Sequence, residues 1–290
     1  MAFKNTMFNL TYRRLAIQQQ HAIVIGACGA LGKAVTESIA RVAPDVHITT
    51  IDVAPSSSPH HIQLDQHETD ANLTKCLTQL DLSSPTASTT TSLIVNCAGG
   101  FGMSFSPADT MSLSSNMHSM NVISALLAVQ IANSLPNNTA RDSSKVRPLV
   151  VLTGAAAALD NPHETPVFMQ PYYSSKKTVH DIVKSTAAAN TKAEKEEKGN
   201  LEGKTFYDLN AVCPSIIDTA VNRADMPEFD WDNESVKCED IAERIVGEWW
   251  LGDQHIMNES RQVVGKIRPR SGELWRVENK GKGAEWSLGG

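Results

Sequence analysis

Residues His21–Gly32 read HAIVIGACGALG, and the reading of this stretch decides the fold. Ala22–Ile25 are apolar, glycines follow at 26, 29 and 32, and Val35, Ile39 and Val42 then recur at helical spacing. The order is strand, tight turn, helix. Such a turn needs glycine where φ is positive, where the backbone must come close to a bound group, and where the helix packs on the strand. The amides that open the helix point at whatever lies in front of them, and the helix dipole favours an anion such as a pyrophosphate. Gly26, Cys28, Gly29, Ala30, Leu31 and Gly32 are therefore candidate cofactor-binding residues.

A glycine-rich turn alone is weak evidence, because buried strand-to-helix turns often contain glycine with no ligand nearby. The next segment strengthens it. His47–Val53 (HITTIDV) is a second short β-rich run, and Asp52 falls where a dinucleotide fold places the carboxylate that holds the adenosine ribose hydroxyls. No Arg or Lys follows Asp52 before Lys75, so nothing nearby would offset its repulsion of a 2′-phosphate. NADH is favoured over NADPH.

The chain has 290 residues, enough for one full α/β domain, and a formal charge of −6 with no basic patch interleaved with aromatics. Nucleic-acid binding is not expected. The five cysteines are odd in number and scattered, without metal-ligand spacing, which suits a reducing compartment. No apolar run approaches the length of a membrane span. Residues 1–20 are basic and free of acid, and read either as a disordered extension in a cytoplasmic protein or as a mitochondrial leader. Residues 21–290 read as a single domain: a Rossmann-type doubly wound α/β fold whose mostly parallel, seven-stranded sheet is flanked by helices.

Past Asp52 comes a Ser/Pro loop and a short strand, His61–Leu64, ending in Asp65, which can reach an adenine amino group or cap a helix. Asn72–Leu82 is amphipathic; Ser83–Ser92 is a low-complexity loop ahead of a strand at Leu93–Val95. That strand runs into Asn96-Cys97-Ala98-Gly99-Gly100, small residues that let the backbone lie against a sugar-like ligand. Phe101 follows, able to stack on a planar substrate or simply to pack. Leu113–Leu135 reads as one long helix with Met117, Met120, Ile123, Leu127 and Ile131 in a core stripe and Asn121 as the polar exception. A loop from Pro136 to Pro148 precedes the strand Leu149–Leu152, which ends in Thr153-Gly154.

Pro171-Tyr172-Tyr173-Ser174-Ser175-Lys176-Lys177 opens the next helix. Tyr and Lys four apart share a helix face. An ammonium beside a phenol lowers its pKa from about 10 and makes it a usable acid. The spacing occurs twice, as Tyr172/Lys176 and Tyr173/Lys177, and does not choose between them. Ala187–Lys204 is a charged, solvated tract; Tyr207–Val212 is a strand; Trp249 and Trp250 sit on an amphipathic helix, in core or interface; Ser271–Val277 is a β-rich run that can close the sheet.

In this order the residues resemble the short-chain dehydrogenase/reductase family over essentially the whole chain from residue 21. The resemblance rests on GACGALG, an acidic residue closing strand two, NCAGG, Asn121 on a long helix, YxxxK and PSIIDT. The glycine spacing, the AGGF loop, AAAALD, AVCPSIIDTAVNRADMPEFD and IRPRSGELWRV are similar to the dihydropteridine reductase branch. The resemblance implies a homodimer that reduces quinonoid dihydropterin to tetrahydropterin with NADH, Tyr172 donating a proton, Lys176 lowering its pKa and holding the nicotinamide ribose, and Asn121 on the helix. It places Tyr172 and Lys176, rather than the second pair, in the family positions, helped by Ser175 and Val179-His180. It carries Ile217 and Thr219 to the nicotinamide amide, and Asn96, Ala98 and Gly99 to the cofactor segment. Most family members have a serine at the end of the strand before the tyrosine helix, to hold a carbonyl oxygen; the matching position here is Gly154, beside Thr153. A quinonoid pterin needs no such donor, and Phe101, Thr153, Gly154 and Tyr172 are the candidate substrate residues. Two other readings stay open: a short-chain reductase of another planar quinonoid or carbonyl compound, and a catalytically inactive NADH-binding regulator.

Overall fold

The computed structural model describes residues 20–66, 69–80, 90–135, 147–160, 165–196, 206–251, 268–281 and 283–289. The basic leader to residue 19, most of the low-complexity loop (83–89), the loop at 136–146 and the charged tract from 197 lie outside those residues. In chain order the elements are β1 Gln20–Ile25, α1 Ala30–Val42, β2 His47–Asp52, β3 His61–Gln63, α2 Thr69–Leu80, β4 Thr90–Asn96 and α3 Pro107–Met117. A π-helical turn, His118–Ile123, joins α3 to α4, Ser124–Asn133. Then come β5 Leu149–Thr153, α5 Gln170–Glu196, β6 Asp208–Pro214, α6 Ala220–Asp225, α7 Trp231–Glu234, α8 Cys238–Glu243 with a second π-helical segment Arg244–Trp250, β7 Leu274–Asn279 and β8 Ala284–Leu288.

The strands form one sheet in the order β3-β2-β1-β4-β5-β6-β7-β8. The neighbours from β3 to β7 pair in parallel, and β7 pairs with β8 antiparallel. The doubly wound, mostly parallel sheet is as expected, but it has eight strands rather than seven. Beyond the run taken to close the sheet, Gly281 and Gly283 turn the chain at positive φ, and Trp286 comes back to meet Trp249 at 5.7 Å between ring centroids. The strand order reverses between β1 and β4, and open α/β sheets place ligands at that point, beyond the carboxyl ends of the strands.

The central strands are apolar on both faces because both faces are covered. Ala22, Val24, Leu93, Val95, Leu149 and Val151 face α1, α8 and the Trp249–Trp250 segment, which is core. Ile23, Ile25, Ile94, Val150 and Leu152 face α4 and α5. Two sequence readings shift. β4 begins at Thr90, three residues early, because the hydroxyls of a Thr/Ser run can be buried when paired: Thr91 meets His21, and Ser92 meets Gln20 and the Trp250 indole. The long helix starts at Pro107, capped by Ser106, and is interrupted by the π-helical turn. That turn rotates the following face, so Met117 and Ile131 are core whereas Met120 is 40% exposed.

His21 is buried at the amino end of β1, its two ring nitrogens on the hydroxyls of Thr91 (3.2 Å) and Thr49 (2.9 Å). Burial, with His47 and His60 alongside, pulls its pKa down to about 4. An unfolded chain protonates this histidine near its ordinary 6.5, so between those values the unfolded state holds the extra proton and stability rises with pH. Acidification from pH 6.5 to 4 is expected to lower the free energy of unfolding by up to about 1.4 kcal/mol per pH unit from this group. Urea titrations at stepped pH will show a shallower decline for His21→Gln.

Candidate active site

At the carboxyl edge of the sheet the β1 turn is pressed against the β4 turn. Gly26 has φ 76°, its amide donates to Ile51 O at 2.8 Å, and a Cβ there would lie 2.6 Å from Ala98 Cα. A Cβ on Gly32 would sit 2.7 Å from Ala27 Cα, so α1 packs directly on the turn. Gly29 differs: a Cβ there meets nothing nearer than Gly26 O at 3.4 Å and projects into a cavity. Asp52, ending β2, turns its carboxylate onto the same turn, accepting from the Cys28 amide (2.8 Å) and the Ala54 amide (3.0 Å).

The cavity has a volume of about 610 Å³ and is walled by Gly29, Asp52, Asp65, Ala98 and Gly99, with Leu64, Leu73, Leu126 and Leu127 at its apolar end. That is a size and lining suited to a nucleotide half. Among the described residues no Lys or Arg lines it. A depression of similar volume, about 680 Å³, lies along the far half of α5 beside Ser271 and Gly272 and gathers none of the candidate residues.

The second half of the edge is built around Asn121, buried in the π-helical turn. Its Oδ1 accepts from the Gly100 amide at 2.9 Å; its Nδ2 donates to Gly100 O at 3.1 Å and to Ser175 Oγ at 2.9 Å. Ser175 Oγ in turn donates to Tyr172 O at 2.8 Å. Lys176 Nζ, buried, donates to Thr153 O at 2.9 Å. The two halves meet at Gly99, which walls the cavity and whose Cβ, if present, would lie 2.7 Å from Asn121 Oδ1 and 3.1 Å from Lys176 Nζ. The two Tyr/Lys registers separate here. Tyr173 is core and reaches Asp160 O, and Lys177 is on the surface with Asp181, whereas Lys176 and the partly buried Tyr172 turn to the strand ends. Phe101 sets its ring edge-to-face on Tyr172, centroids 4.9 Å apart.

Some candidate residues lie elsewhere. Asn96 is 1% exposed and off the cavity wall, using its amide on Ala98 N and Ser124 Oγ. Ile217 and Thr219 follow β6; Thr219 caps α6 through Asn222 N at 3.1 Å, and neither lines the cavity. Thr153 donates its hydroxyl proton to Asn96 O at 2.8 Å. Gly154 does not face the tyrosine: a Cβ there would collide with His180 and lie 2.8 Å from Cys213 Sγ. The next residue, Ala155, belongs with Ala158 and Tyr173 to a small apolar cluster against which Tyr172 packs. Alternation along a strand end sends neighbours to opposite sides, so the one-residue offset reverses the face.

The expected acidification of the phenol by Lys176 is not what the geometry does. Burial pushes the Tyr172 pKa above its ordinary 10, with the Cys213 thiol adding to the rise, while Lys176 is directed at Thr153 O. Burial brings Lys176 itself down to about 8, partly offset by Cys213. His180 and Cys213, 3.3 Å apart, fill the space behind them; burial lowers the imidazole to about 3 and raises the thiol to about 12, so both are neutral. Sequence reasoning missed Ala155, Cys213 and the bonding of Gly100 and Ser175. Only Ser175 carried a signal, its place one helical turn after Tyr172.

No family model matches the sequence, and no curated protein is significantly similar to it. Solved structures do match. A short chain dehydrogenase family protein from Francisella tularensis is 19% identical, with a TM-score of 0.58 over 79% of this chain and 90% of that one. A short-chain type dehydrogenase/reductase from Mycobacterium ulcerans is 14% identical, with a TM-score of 0.58 over 92% of each chain. A short-chain dehydrogenase/reductase from Serratia marcescens is 16% identical, with a TM-score of 0.51 over 78% of this chain and 88% of that one. The chain has the fold of these proteins. Among the described residues no group of His, Cys, Asp or Glu is arranged to hold a metal, and no helix is long and apolar enough to cross a membrane.

The open cradle at Gly29, ahead of the α1 amides and beside the Asp52 carboxylate, fits a dinucleotide. Gly29→Val is expected to fold, since its side chain enters empty space, and to weaken the binding of a nicotinamide dinucleotide, NADH or NADPH, at least tenfold by fluorescence titration. Gly26→Val should instead lower the melting temperature sharply.

Proposed function

We propose that the chain is a short-chain reductase that uses NADH to convert quinonoid dihydropterin to tetrahydropterin. The observation that carries this is the junction at Gly99, a residue of the cavity wall that lies against Asn121 and Lys176, so that the Asp52 cavity adjoins the Tyr172 helix although Tyr172 and Lys176 do not themselves line it. The turn Gly26–Gly32 and the α1 amides would hold the pyrophosphate, and Asp52 the ribose hydroxyls. The absence of Lys and Arg from the cavity wall among the described residues supports NADH over NADPH. When bound, a reduced nicotinamide supplies hydride.

The chain's own residues handle the proton. Tyr172, its phenol held protonated by burial, carries at Oη the proton that the reduced ring acquires. Lys176, its Nζ held by the Thr153 carbonyl and lying against Gly99, would hold the nicotinamide ribose. Asn121, bonded to both Gly100 and Ser175, ties the loop carrying Phe101 to the helix carrying Tyr172.

The substrate side favours a quinonoid ring over a ketone. A developing oxyanion needs a donor beside the phenol. Ala155 has none, Gly154 faces away, and the Thr153 hydroxyl proton is committed to Asn96 O. A planar ring whose charge is delocalised does without one, and Phe101 on Tyr172 offers it an aromatic surface.

Purified protein is expected to oxidise NADH, and NADPH more slowly, with chemically generated quinonoid dihydropterin, and to ignore simple ketones; preferred turnover of ketones would overturn the assignment. Tyr172→Phe should retain NADH binding and lose about 10²- to 10⁴-fold in kcat. With Lys176 titrating at about 8, kcat/KM should be flat below neutrality and fall as pH rises through that value. Lys176→Met should be slow and lack that limb in a pH profile.

A further inference from the structure

We propose that the stacked pair Phe105 and Phe168 is a specificity-determining rim that receives an uncharged, apolar substituent on the planar substrate. The inference rests on the reading of Tyr172 as the residue beside the reacting ring. Phe105 and Phe168 stack with centroids 5.1 Å apart and planes at 27°. Phe105 is nonetheless 79% exposed, and Val167 beside the stack is 85% exposed. A stacked pair contributes only about 0.5–1.5 kcal/mol, so it does not account for large apolar side chains standing in water; contiguous patches of that kind mark a binding surface.

Chain geometry puts the patch at the mouth of the site. Phe168 stands on the 3₁₀ turn Val167–Met169 that leads straight into α5, four residues before Tyr172. Phe105 is four residues past Phe101, whose ring lies on Tyr172. The Ser104 amide donates to Phe168 O at 2.9 Å, so the loop bearing Phe101 and Phe105 is fastened to the turn bearing Phe168. Ser104 Oγ is itself held on Ser106 O at 2.9 Å, which fixes the loop to the start of α3.

The chemistry of the mouth selects the occupant. Residues 97–108 (CAGGFGMSFSPA) and 165–175 (TPVFMQPYYSS) contain no charged side chain. The nearest cation along α5 after buried Lys176 is Lys177, paired with Asp181 at 3.7 Å. Among the described residues of these two stretches a carboxylated or phosphorylated substituent would lose water and find no cation. An alkyl or aryl substituent would cover exposed phenyl surface.

The test uses fully oxidised pterins, which bind without turnover, in equilibrium dialysis with the full chain and saturating NAD⁺. The probes are pterin, 6-phenylpterin and 6-carboxypterin. Wild type should bind 6-phenylpterin about tenfold tighter than pterin, a difference of about 1.4 kcal/mol, and 6-carboxypterin more weakly than pterin. Phe105→Ala/Phe168→Ala should bring the phenyl preference within twofold without moving the pterin Kd, and Phe105→Leu/Phe168→Leu, which keeps the patch apolar, should lose part of it. Equal affinities in wild type, or a preference that survives in both variants, overturns the rim. So does a change of sedimentation coefficient in the variants with the preference intact, because the patch would then be covered by a second copy. Quinonoid dihydropterin turnover separates the two readings: rim-dependent binding without turnover removes the proposed reaction and leaves the rim. Turnover with no substituent preference removes the rim alone, and no binding of any pterin removes both.

Discussion

Two backbone turns touch where the strand order reverses, and the rest of the site follows from how closely they do so. The turn after β1 can lie against the turn after β4 only because position 26 has no side chain; a Cβ there would stand 2.6 Å from Ala98 Cα. That contact brings Ile25 and Asn96, the last residues of two parallel strands, into register and aims both turns out of the same edge. Asp52 is locked to the first turn through Cys28, and Gly99, one residue past the contact, lies against Asn121 and Lys176. A chain of close contacts therefore runs from Asp52 across the strand ends to α5. It is completed on the far side by Lys176 on Thr153 O and Thr153 on Asn96 O.

The electrostatics of this edge are set by what is missing from it. Lys176 is fully enclosed with a main-chain carbonyl as its partner and no carboxylate among the influences on its pKa, which is why burial alone can bring it to about 8. The neighbouring imidazole and thiol are both neutral and screen little. The phenol raised by burial and the lysine lowered by burial are two sides of one arrangement: each group is pushed toward the uncharged form that loses least without solvent.

Much of this was legible in the sequence because it rests on local patterns. The strand-turn-helix of 21–43, the second strand ending in Asp52 and the apolar runs of β4 and β5 follow from glycine placement and period. Three features were not legible, each for a physical reason. β8 is short and polar on its exposed side, and its place is decided by Trp286 finding Trp249, a contact between residues far apart in the chain. The start of β4 was hidden because Thr and Ser read as loop until their hydroxyls are paired by His21 and Trp250. The π-helical turn at Asn121 adds a residue to one helical turn, and no periodicity window registers that until the side chain has partners at Gly100 and Ser175 to hold it inward.

The offset between Gly154 and Ala155 shows why the same limit applies to the chemistry. Matching residue types along a strand end finds the small residue nearest the expected serine, but alternation makes adjacent positions chemically opposite. His180, four residues along α5 from Lys176, occupies the space behind Gly154, and its ring nitrogen accepts the Ala155 amide at 3.3 Å. The imidazole thereby holds the backbone so that Ala155, not Gly154, is turned toward the tyrosines. At this strand end the histidine leaves no room for a side chain at position 154, and Ala155 presents a methyl group to the cluster against which Tyr172 packs.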